Sequence, residues 1–293
     1  YMSAFMSGQL DYIEAPPAQE IPSLLKDGTA KVYPYLGTYY YSFNVSSNID
    51  SINKDVAKAI KNVKVRKAIS LAIDRTSLVN NVTKGGQRPA TSFVPKGITL
   101  KDGSDFKTKD YYKAAADVAQ AKQLLAEAGY PDGKGFPTIE LLYNSGQGHQ
   151  DLAQAIQDML KKNLGINITL RNVERKVQLD VTSKHQYQMA RNGWIADYAD
   201  PMTFLDMWVT GGGNNAAGYS NPEYDKLIAA AKAEIDTTKR TADLHQAEDI
   251  LMNDMPIIPI YEYTNVACIK DYLKGVHKSP LGFVFFKDAY IQK

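Results

Sequence analysis

The chain has 293 residues, 44% of them hydrophobic and 23% charged, a composition typical of a folded protein of one or two domains. Its 34 basic and 32 acidic residues leave a formal net charge of +2, which is too small to attract nucleic acid or an anionic membrane broadly. No apolar run approaches the ~18 residues of a transmembrane helix. The single cysteine, Cys268, excludes an internal disulfide and any paired-cysteine metal or redox site.

The first quarter of the chain combines a helix, a long strand and a second helix. The apolar spacing of Met2, Phe5, Met6 and Leu10 indicates a helix already in progress, and we expect that the chain is cut from a longer one. Residues 32–44 are β-prone almost throughout, which is typical of a strand buried on both faces of a sheet. A polar insertion is predicted at 45–61, then a helix on Val65, Ile69, Ala72 and Ile73, then a loop at 83–96.

The middle of the chain predicts parallel strands joined by helices. Residues 118–128 form a helix stopped by Gly129 and Pro131, and 138–144 form a strand. A helix over 152–164 ends at Gly165, and 166–170 alternate as a second strand, so the two strands should pair in parallel. Residues 187–195 predict a further strand. Ligands of open α/β sheets collect at the carboxyl ends of such strands.

The last third begins with a loop rich in Gly and Asn at 211–218. Helices are predicted at 222–234 and 239–253. The β-prone run at 257–269 and a short segment at 284–291 complete the chain.

The segment 191–201 carries the most specific chemical signal. It places the carboxylate of Asp197 three residues after the aromatic ring of Trp194, at the end of a predicted strand. A carboxylate shielded by aromatic rings needs a cationic partner, and the free amine of a peptide is one candidate. An internal Arg or Lys is an equally good partner. Asp200, directly before Pro201, is typical of a helix cap instead.

No common catalytic motif is present. The chain lacks GxSxG, HExxH, GxGxxG and Walker sequences, and its four histidines do not pair at metal-ligand spacing. His149 follows the strand 138–144 and belongs to the same predicted sheet edge as Asp197, so it could donate to an anionic group. It could equally be an ordinary residue at the start of a helix.

Six motifs spread over the chain resemble one family. They are YLGTYYY at 35–41, VRKAISLAIDR at 65–75, AKQLLAEAG at 121–129, LLYN at 141–144, WIADYADP at 194–201 and YDKLI at 224–228. In this order they resemble the C-terminal part of the oligopeptide-binding proteins, the extracytoplasmic solute-binding receptors (family 5) of ABC importers.

The resemblance implies an α/β fold of the periplasmic-binding-protein type II-like clamp. Residues 1–74 and 265–293 would be parts of domain I, which is incomplete here, and 75–264 would be domain III. The signal sequence, the first part of domain I and all of domain II would then be missing.

The resemblance also implies a peptide site. Asp197 matches the aspartate that binds the peptide's α-amine, and Arg191 and His149 match residues used for the C-terminal carboxylate at different peptide lengths. Lys113, aligned across a two-residue gap, matches a further such cation. Gly193, Trp194 and Ile195 lie where the family hydrogen-bonds the peptide main chain, and Tyr39 and Tyr41 would face the cleft.

We therefore expect a non-enzymatic receptor that binds short peptides and delivers them to the membrane permease subunits of an ABC importer. It should be a monomer with no cofactor, metal or nucleic acid, in the periplasm or lipid-anchored on the outer face of the cell membrane. Three alternatives stay open: a receptor for another ligand such as a dipeptide, signalling peptide or metal chelate; an enzyme using Asp197 and His149 as acid and base; and a chaperone-like module for unfolded chains.

Overall fold

A seven-stranded mixed sheet forms the centre of the protein, whose computed structural model describes residues 1–292. Its strands are β1 (Tyr12–Glu14), β2 (Ala30–Phe43), β3 (Arg88–Pro89), β4 (Ile139–Asn144), β5 (Ile168–Val173), β6 (Met189–Ile195) and β7 (Ile257–Ile269). The order across the sheet is β1-β7-β2-β6-β4-β5, and β3 pairs with β7 beside β1.

The sheet changes from antiparallel to parallel at β6. Strand β2 runs antiparallel to both β7 and β6, whereas β4 runs parallel to β5 and to β6. The predicted parallel pairing of the two strands around the helix over 152–164 is therefore confirmed. The carboxyl ends of β4, β5 and β6 lie at one edge of the sheet.

Twelve α-helices surround the sheet in the described part of the chain. They are α1 (Met2–Met6), α2 (Ile21–Lys26), α3 (Ile49–Ile52), α4 (Lys54–Lys61), α5 (Val63–Leu71), α6 (Arg75–Ser77), α7 (Val118–Glu127), α8 (Gln147–Leu164), α9 (Arg175–Ser183), α10 (Met202–Leu205), α11 (Pro222–Ala233) and α12 (Thr237–Asp254). Short irregular helices occupy Leu78–Thr83, Pro131–Gly133 and Asp206–Trp208. Two small antiparallel pairs are formed by β8 (Leu273–Lys274) with β11 (Tyr290–Ile291) and by β9 (His277–Lys278) with β10 (Val284–Phe285).

Two large hydrophobic cores lie on opposite faces of the sheet. Tyr39 and Tyr41 point into the core that contains residues of α5, α7 and α8. Tyr40 points into the other core, with Trp208 and residues of α11 and α12. This alternation follows from the two-residue period of a strand. The predicted burial of 32–44 on both faces is confirmed from Leu36 onward, whereas residues 32–35 are exposed or only partly buried.

The sequence predictions fail in three places. The segment 45–61 is not an irregular insertion, because it contains α3 and α4, and α4 buries Val56, Ala57 and Ile60. Helix α9 was not predicted. The segment 284–291 holds only the two-residue strands β10 and β11.

The helix end predicted at Gly165 is confirmed. Gly165 adopts a left-handed conformation with φ of 68°, and an added Cβ would lie 2.7 Å from the carbonyl oxygen of Asp132. Within residues 1–292 no helix is both long and apolar enough to cross a bilayer. The described side chains also contain no cluster of three or more metal-ligating residues.

Candidate ligand-binding site

The second half of β6 has an edge with no strand partner. Strand β4 pairs with β6 only at Leu141↔Met189 and Leu142↔Ala190. Beyond Ala190, β6 is paired with β2 on one side, and no described strand occupies the other side. Backbone groups on such an edge are available to an added extended segment.

Arg191, at the start of this edge, is a buried cation without a carboxylate partner. Arg191 is only 8% exposed. Nη1 donates to Asn144 Oδ1 at 3.1 Å, and Nη2 donates to Tyr263 Oη at 3.0 Å. The guanidinium carbon lies 4.6 Å from the centre of the Tyr39 ring. Among the described residues, Arg191 Nε has no hydrogen-bond partner although it is buried.

Arg191 stays charged although it is buried. Burial lowers the pKa of Arg191, but electrostatic interactions with Tyr263 and Tyr39 outweigh burial, and the pKa is raised above its ordinary value. A buried charge that is satisfied only by neutral groups carries a desolvation cost that an anion would offset. The arrangement therefore suits an anionic ligand group.

Gly193 makes the contact between Arg191 and Tyr263 possible. A Cβ at position 193 would lie 2.3 Å from Tyr263 Oη and 3.3 Å from Arg191 Nη2. The distance to Tyr263 Oη is too short for a Cβ, so the hydroxyl of Tyr263 occupies this position because residue 193 is a glycine.

His149 lies on the same face of the sheet, in the first turn of α8. Its Nδ1 is 3.0 Å from Tyr39 Oη. Burial, followed by the positive charges of Arg191 and Arg175, lowers the pKa of His149 to about 4. Burial also raises the pKa of Tyr39, so its hydroxyl keeps its proton and is able to donate to Nδ1 in the tautomer that carries its proton on Nε2. A neutral His149 then has Nε2–H as a donor, which fits the predicted contact with an anionic group.

Tyr39 and Tyr41 do not face an open cleft, and this expectation was wrong. Both residues are 1% exposed, because the helices on that face of the sheet cover their rings. Tyr39 contacts Arg191 and His149 instead. The Tyr41 hydroxyl is buried without a hydrogen-bond partner among the described residues.

Trp194 and Asp197 line a small cleft on the other face of the sheet. The cleft has a volume of about 260 Å³ and is also lined by Thr203 and Asp206. Thr203 Oγ1 accepts from Trp194 Nε1 at 3.4 Å and from the Asp197 amide at 3.3 Å, and so joins the two residues.

The carboxylate of Asp197 is exposed, which corrects the expectation that aromatic rings shield it. The alternative of an internal Arg or Lys partner is also not observed, because none of the ion pairs among residues 1–292 involves Asp197. Asp206, in the same cleft, is paired with Lys232. The unpaired acid of the cleft is thus the one predicted from sequence.

Asp200 has the structural role predicted for it, with a shift of one residue. Its Oδ1 accepts the amide of Met202 at 2.9 Å, at the start of α10. Pro201 takes the N-cap position rather than the first helical position. Both carboxylate oxygens also accept from Arg240, at 2.9 and 2.8 Å, so Asp200 is fully satisfied inside the protein.

Lys113 lies apart from the other predicted site residues. It is exposed and lines a different cleft with Tyr112 and Asp110. Ile195 ends β6 and is half-buried, with its side chain over Gly37. The structure therefore brings together Arg191, His149 and Tyr39 on one face of the sheet and Trp194 and Asp197 on the other.

Sequence reasoning missed three residues of the site: Asn144, Arg175 and Tyr263. Arg175 could have been found, because it follows the end of β5 by two residues at the edge that also holds His149. Asn144 and Tyr263 belong to β4 and β7, and only the sheet order brings them to Arg191.

Comparison with known proteins agrees with this geometry. Residues 1–216 match the model described as bacterial extracellular solute-binding proteins, family 5. The chain is 39% identical to the oligopeptide-binding protein OppA of Bacillus subtilis strain 168, over 99% of this chain and 52% of that protein. It is 36% identical to the periplasmic murein peptide-binding protein MppA of Escherichia coli K12, over 99% of this chain and 52% of that protein.

Solved structures share the fold. The oligopeptide ABC transporter substrate-binding domain of Bacillus anthracis superposes with a TM-score of 0.82 at 28% identity, over 99% of this chain and 56% of that one. OppA of Haemophilus influenzae, in complex with the peptide RPPGFSPFR, gives a TM-score of 0.79 at 32% identity, over 100% and 56%. The chain spans about half the length of the curated relatives it matches.

The fold is that of the extracellular solute-binding proteins. The chain belongs to the bacterial extracellular solute-binding protein family 5. Members of this family are extracytoplasmic receptors that bind solutes.

Proposed function

We propose that the chain provides the peptide-holding surface of a receptor for an ABC-type oligopeptide importer. The observation that carries the proposal is the unpaired edge of β6 from Gly193 to Ile195, beside two charged groups of opposite sign. The carbonyl of Arg191, one step before it, already accepts from Gln178 Nε2. Arg191 and Asp197 both lack an ionic partner within residues 1–292. A peptide has an extended backbone with an ammonium at one end and a carboxylate at the other, and it complements all three features.

In this proposal each part of the site recognises a feature that all peptides share. The backbone at Gly193 and Ile195 hydrogen-bonds the peptide main chain, so that binding does not depend on the peptide sequence. Asp197 accepts from the α-ammonium. Arg191 and the Nε2–H of His149 donate to the C-terminal carboxylate of peptides of different length.

The relatives support a peptide as the ligand. The Bacillus subtilis relative is named an oligopeptide-binding protein, and OppA of Haemophilus influenzae was solved with a nine-residue peptide. Other relatives are named for different ligands: dipeptides, murein tripeptide and deoxycholate. The exposed and unpaired Asp197 favours a ligand that carries an amine.

The remaining parts of the proposal concern organisation and partners. Residues 1–74 and 265–293 belong to one domain and 75–264 to another. The receptor acts as a monomer in the periplasm or lipid-anchored on the outer face of the cell membrane, and it passes peptides to the permease subunits of the importer. It performs no chemical reaction on them, because Asp197 and His149 lie on opposite faces of the sheet, an arrangement that does not suit an acid and base pair.

Calorimetry with a set of free tri- to pentapeptides, followed by mass spectrometry of the recovered ligand, tests this function. We expect one peptide bound per chain and recovery of the peptide intact. Hydrolysed or altered peptide would indicate an enzyme. Binding of a reduced, unfolded protein in preference to all free peptides would indicate a chaperone-like module, and either result would overturn the proposal.

A further inference from the structure

A larger cleft adjoins the Asp197 cleft on the same face of the sheet. It has a volume of about 580 Å³ and lies between α9, β6 and the loop 211–218. The two clefts are continuous, because Trp194, Met207 and residues 212–214 line both of them. Trp194 therefore stands at the boundary between the two.

The two clefts differ in charge. The smaller one contains the carboxylates of Asp197 and Asp206. The described lining of the larger one includes no Asp or Glu, and its cation is Arg175. The other basic side chain there, His185, already donates from Nε2 to the carbonyl of Asn215 at 3.0 Å.

Arg175 is directed to this cleft by its position at the start of α9. Together with Leu179, Thr182 and Ser183 it lines the cleft, at the spacing of one helix face. Its Nη1 donates to the amide oxygen of Gln178. No ion pair formed within residues 1–292 involves Arg175, and burial together with the positive charge of Arg191 lowers its pKa.

The walls of the cleft suit a side chain with an apolar stem and a charged end. Leu179 is 48% exposed and lies one helical turn from Arg175, and Trp194 offers an aromatic surface on the other side. The methylene stem of such a side chain can pack on these surfaces while its carboxylate forms a bidentate ion pair with the Arg175 guanidinium.

We propose that Arg175 makes this cleft selective for an acidic side chain, Glu or Asp, at one position of the bound peptide. This inference rests on the proposed function, because it assumes a peptide along β6. It adds a sequence preference to binding that otherwise depends only on the peptide's backbone and ends. The test separates this side chain from the C-terminal carboxylate, because the Glu and Gln peptides compared below both carry that carboxylate.

The test uses calorimetry with tetrapeptides that differ only by Glu or Gln at one position, scanned along the peptide. The proteins are the wild-type chain, Arg175→Gln and the matched control Lys176→Gln, which removes the same charge from the neighbouring exposed residue outside the described cleft lining. At one position the wild type should bind the Glu peptide about two- to fivefold more tightly than the Gln peptide, the range of an exposed ion pair. Arg175→Gln should bind both equally, and Lys176→Gln should keep the preference.

A charge reversal provides a second measurement. Arg175→Glu should reverse the preference at the same position, so that a Lys peptide binds more tightly than the Glu peptide. The proposal is overturned if the Glu-to-Gln ratio is unchanged in Arg175→Gln at every position, or if Lys176→Gln lowers it equally. Those results would leave peptide binding intact, whereas failure of every tetrapeptide to bind the wild type would overturn the proposed function itself.

Discussion

At the scale of single residues, Arg191 is unusual in the site because it is a buried cation without a carboxylate partner. It is a buried guanidinium whose partners are an amide, a phenol and an aromatic ring, and one of its donors is unused within the described chain. The family resemblance selects Arg191 from the sequence. Its partners Asn144 and Tyr263 could not be predicted, because each comes from a strand distant in sequence whose neighbours are set by the sheet order.

Arg191 and His149 should affect peptides of different length. We expect Arg191→Gln and His149→Gln each to weaken one length among di- to pentapeptides by about 1.5 to 3 kcal/mol, the range for a hydrogen bond to a charged group. Other lengths should change little, because the charge of Arg191 is screened when the carboxylate is beyond its reach, and neutral His149 acts only in direct contact. The measurement is calorimetry across the length series.

Arg171→Gln is a suitable control for the Arg191 variant, because it removes the same charge from a guanidinium that pairs with Glu140. Melting temperatures would show whether each variant is folded. A uniform loss of affinity at all lengths in both site variants would contradict the assignment.

The stability of the protein should depend on pH through His149. Its pKa in the folded chain is about 4, below the ordinary value of about 6.5, because it is buried beside Arg191 and Arg175. Between these two pKa values the unfolded chain therefore binds a proton at His149 that the folded chain does not bind. The stability of the folded chain with a neutral His149 is therefore fully present above pH 6.5. The free energy of unfolding decreases as the pH falls from 6.5 towards 4.

We expect urea unfolding at pH 7 and pH 4 to show a smaller loss of stability for His149→Gln than for the wild type. His277→Gln, a change at an exposed histidine, should behave like the wild type. If the loss between the two pH values is the same in all three proteins, then His149 is not held neutral by its surroundings.

At the scale of secondary structure elements, hydrophobic periodicity explains both the successes and the failures of prediction. Strand β6 and helix α8 have clear periodic patterns, so both elements and their C-terminal ends were predicted. Their starts were not, because α8 begins at Gln147 rather than 152 and β6 at Met189 rather than 187. Helix α9 buries the polar residues Gln178 and Thr182 and exposes Val177 and Leu179, so its pattern is inverted. The unpaired edge of β6 begins where β4 stops pairing with it. The local sequence pattern of β6 does not indicate that point.

The edge of β6 should be sensitive to a side chain at Gly193. Gly193→Ala places a Cβ 2.3 Å from Tyr263 Oη and forces a shift, with an expected loss of about 1 to 3 kcal/mol of stability, as in other overpacked positions. Tyr263→Phe removes the clashing oxygen. The double variant should therefore recover most of the loss of Gly193→Ala, as measured by urea unfolding.

Gly213→Ala is a matched control for this pair, since a Cβ at that position meets no atom within 4 Å and the change should be nearly neutral. Additive effects of Gly193→Ala and Tyr263→Phe would mean that the phenol does not cause the conflict.

At the scale of the whole molecule, exposure sets the size of the binding energies. Asp197 is exposed in this chain, although the sequence suggested a shielded carboxylate. An exposed ion pair contributes only about 0 to 1 kcal/mol, whereas the same pair enclosed away from water contributes more. The chain alone should therefore bind the peptide's amine weakly. The charge of Asp197 contributes more to the selection of the ligand than to its affinity.

The central claim is that Asp197 recognises the peptide's free amine, and a double-mutant cycle by calorimetry tests it most directly. The cycle compares one free tripeptide with its N-acetylated form on the wild type, on Asp197→Asn and on the control Asp206→Asn, whose carboxylate pairs with Lys232 in the same cleft. Acetylation should weaken binding to the wild type and to Asp206→Asn by about 0.5 to 1 kcal/mol, and should have no effect on Asp197→Asn. Equal binding of the two peptides by the wild type, or an undiminished penalty in Asp197→Asn, would contradict the account.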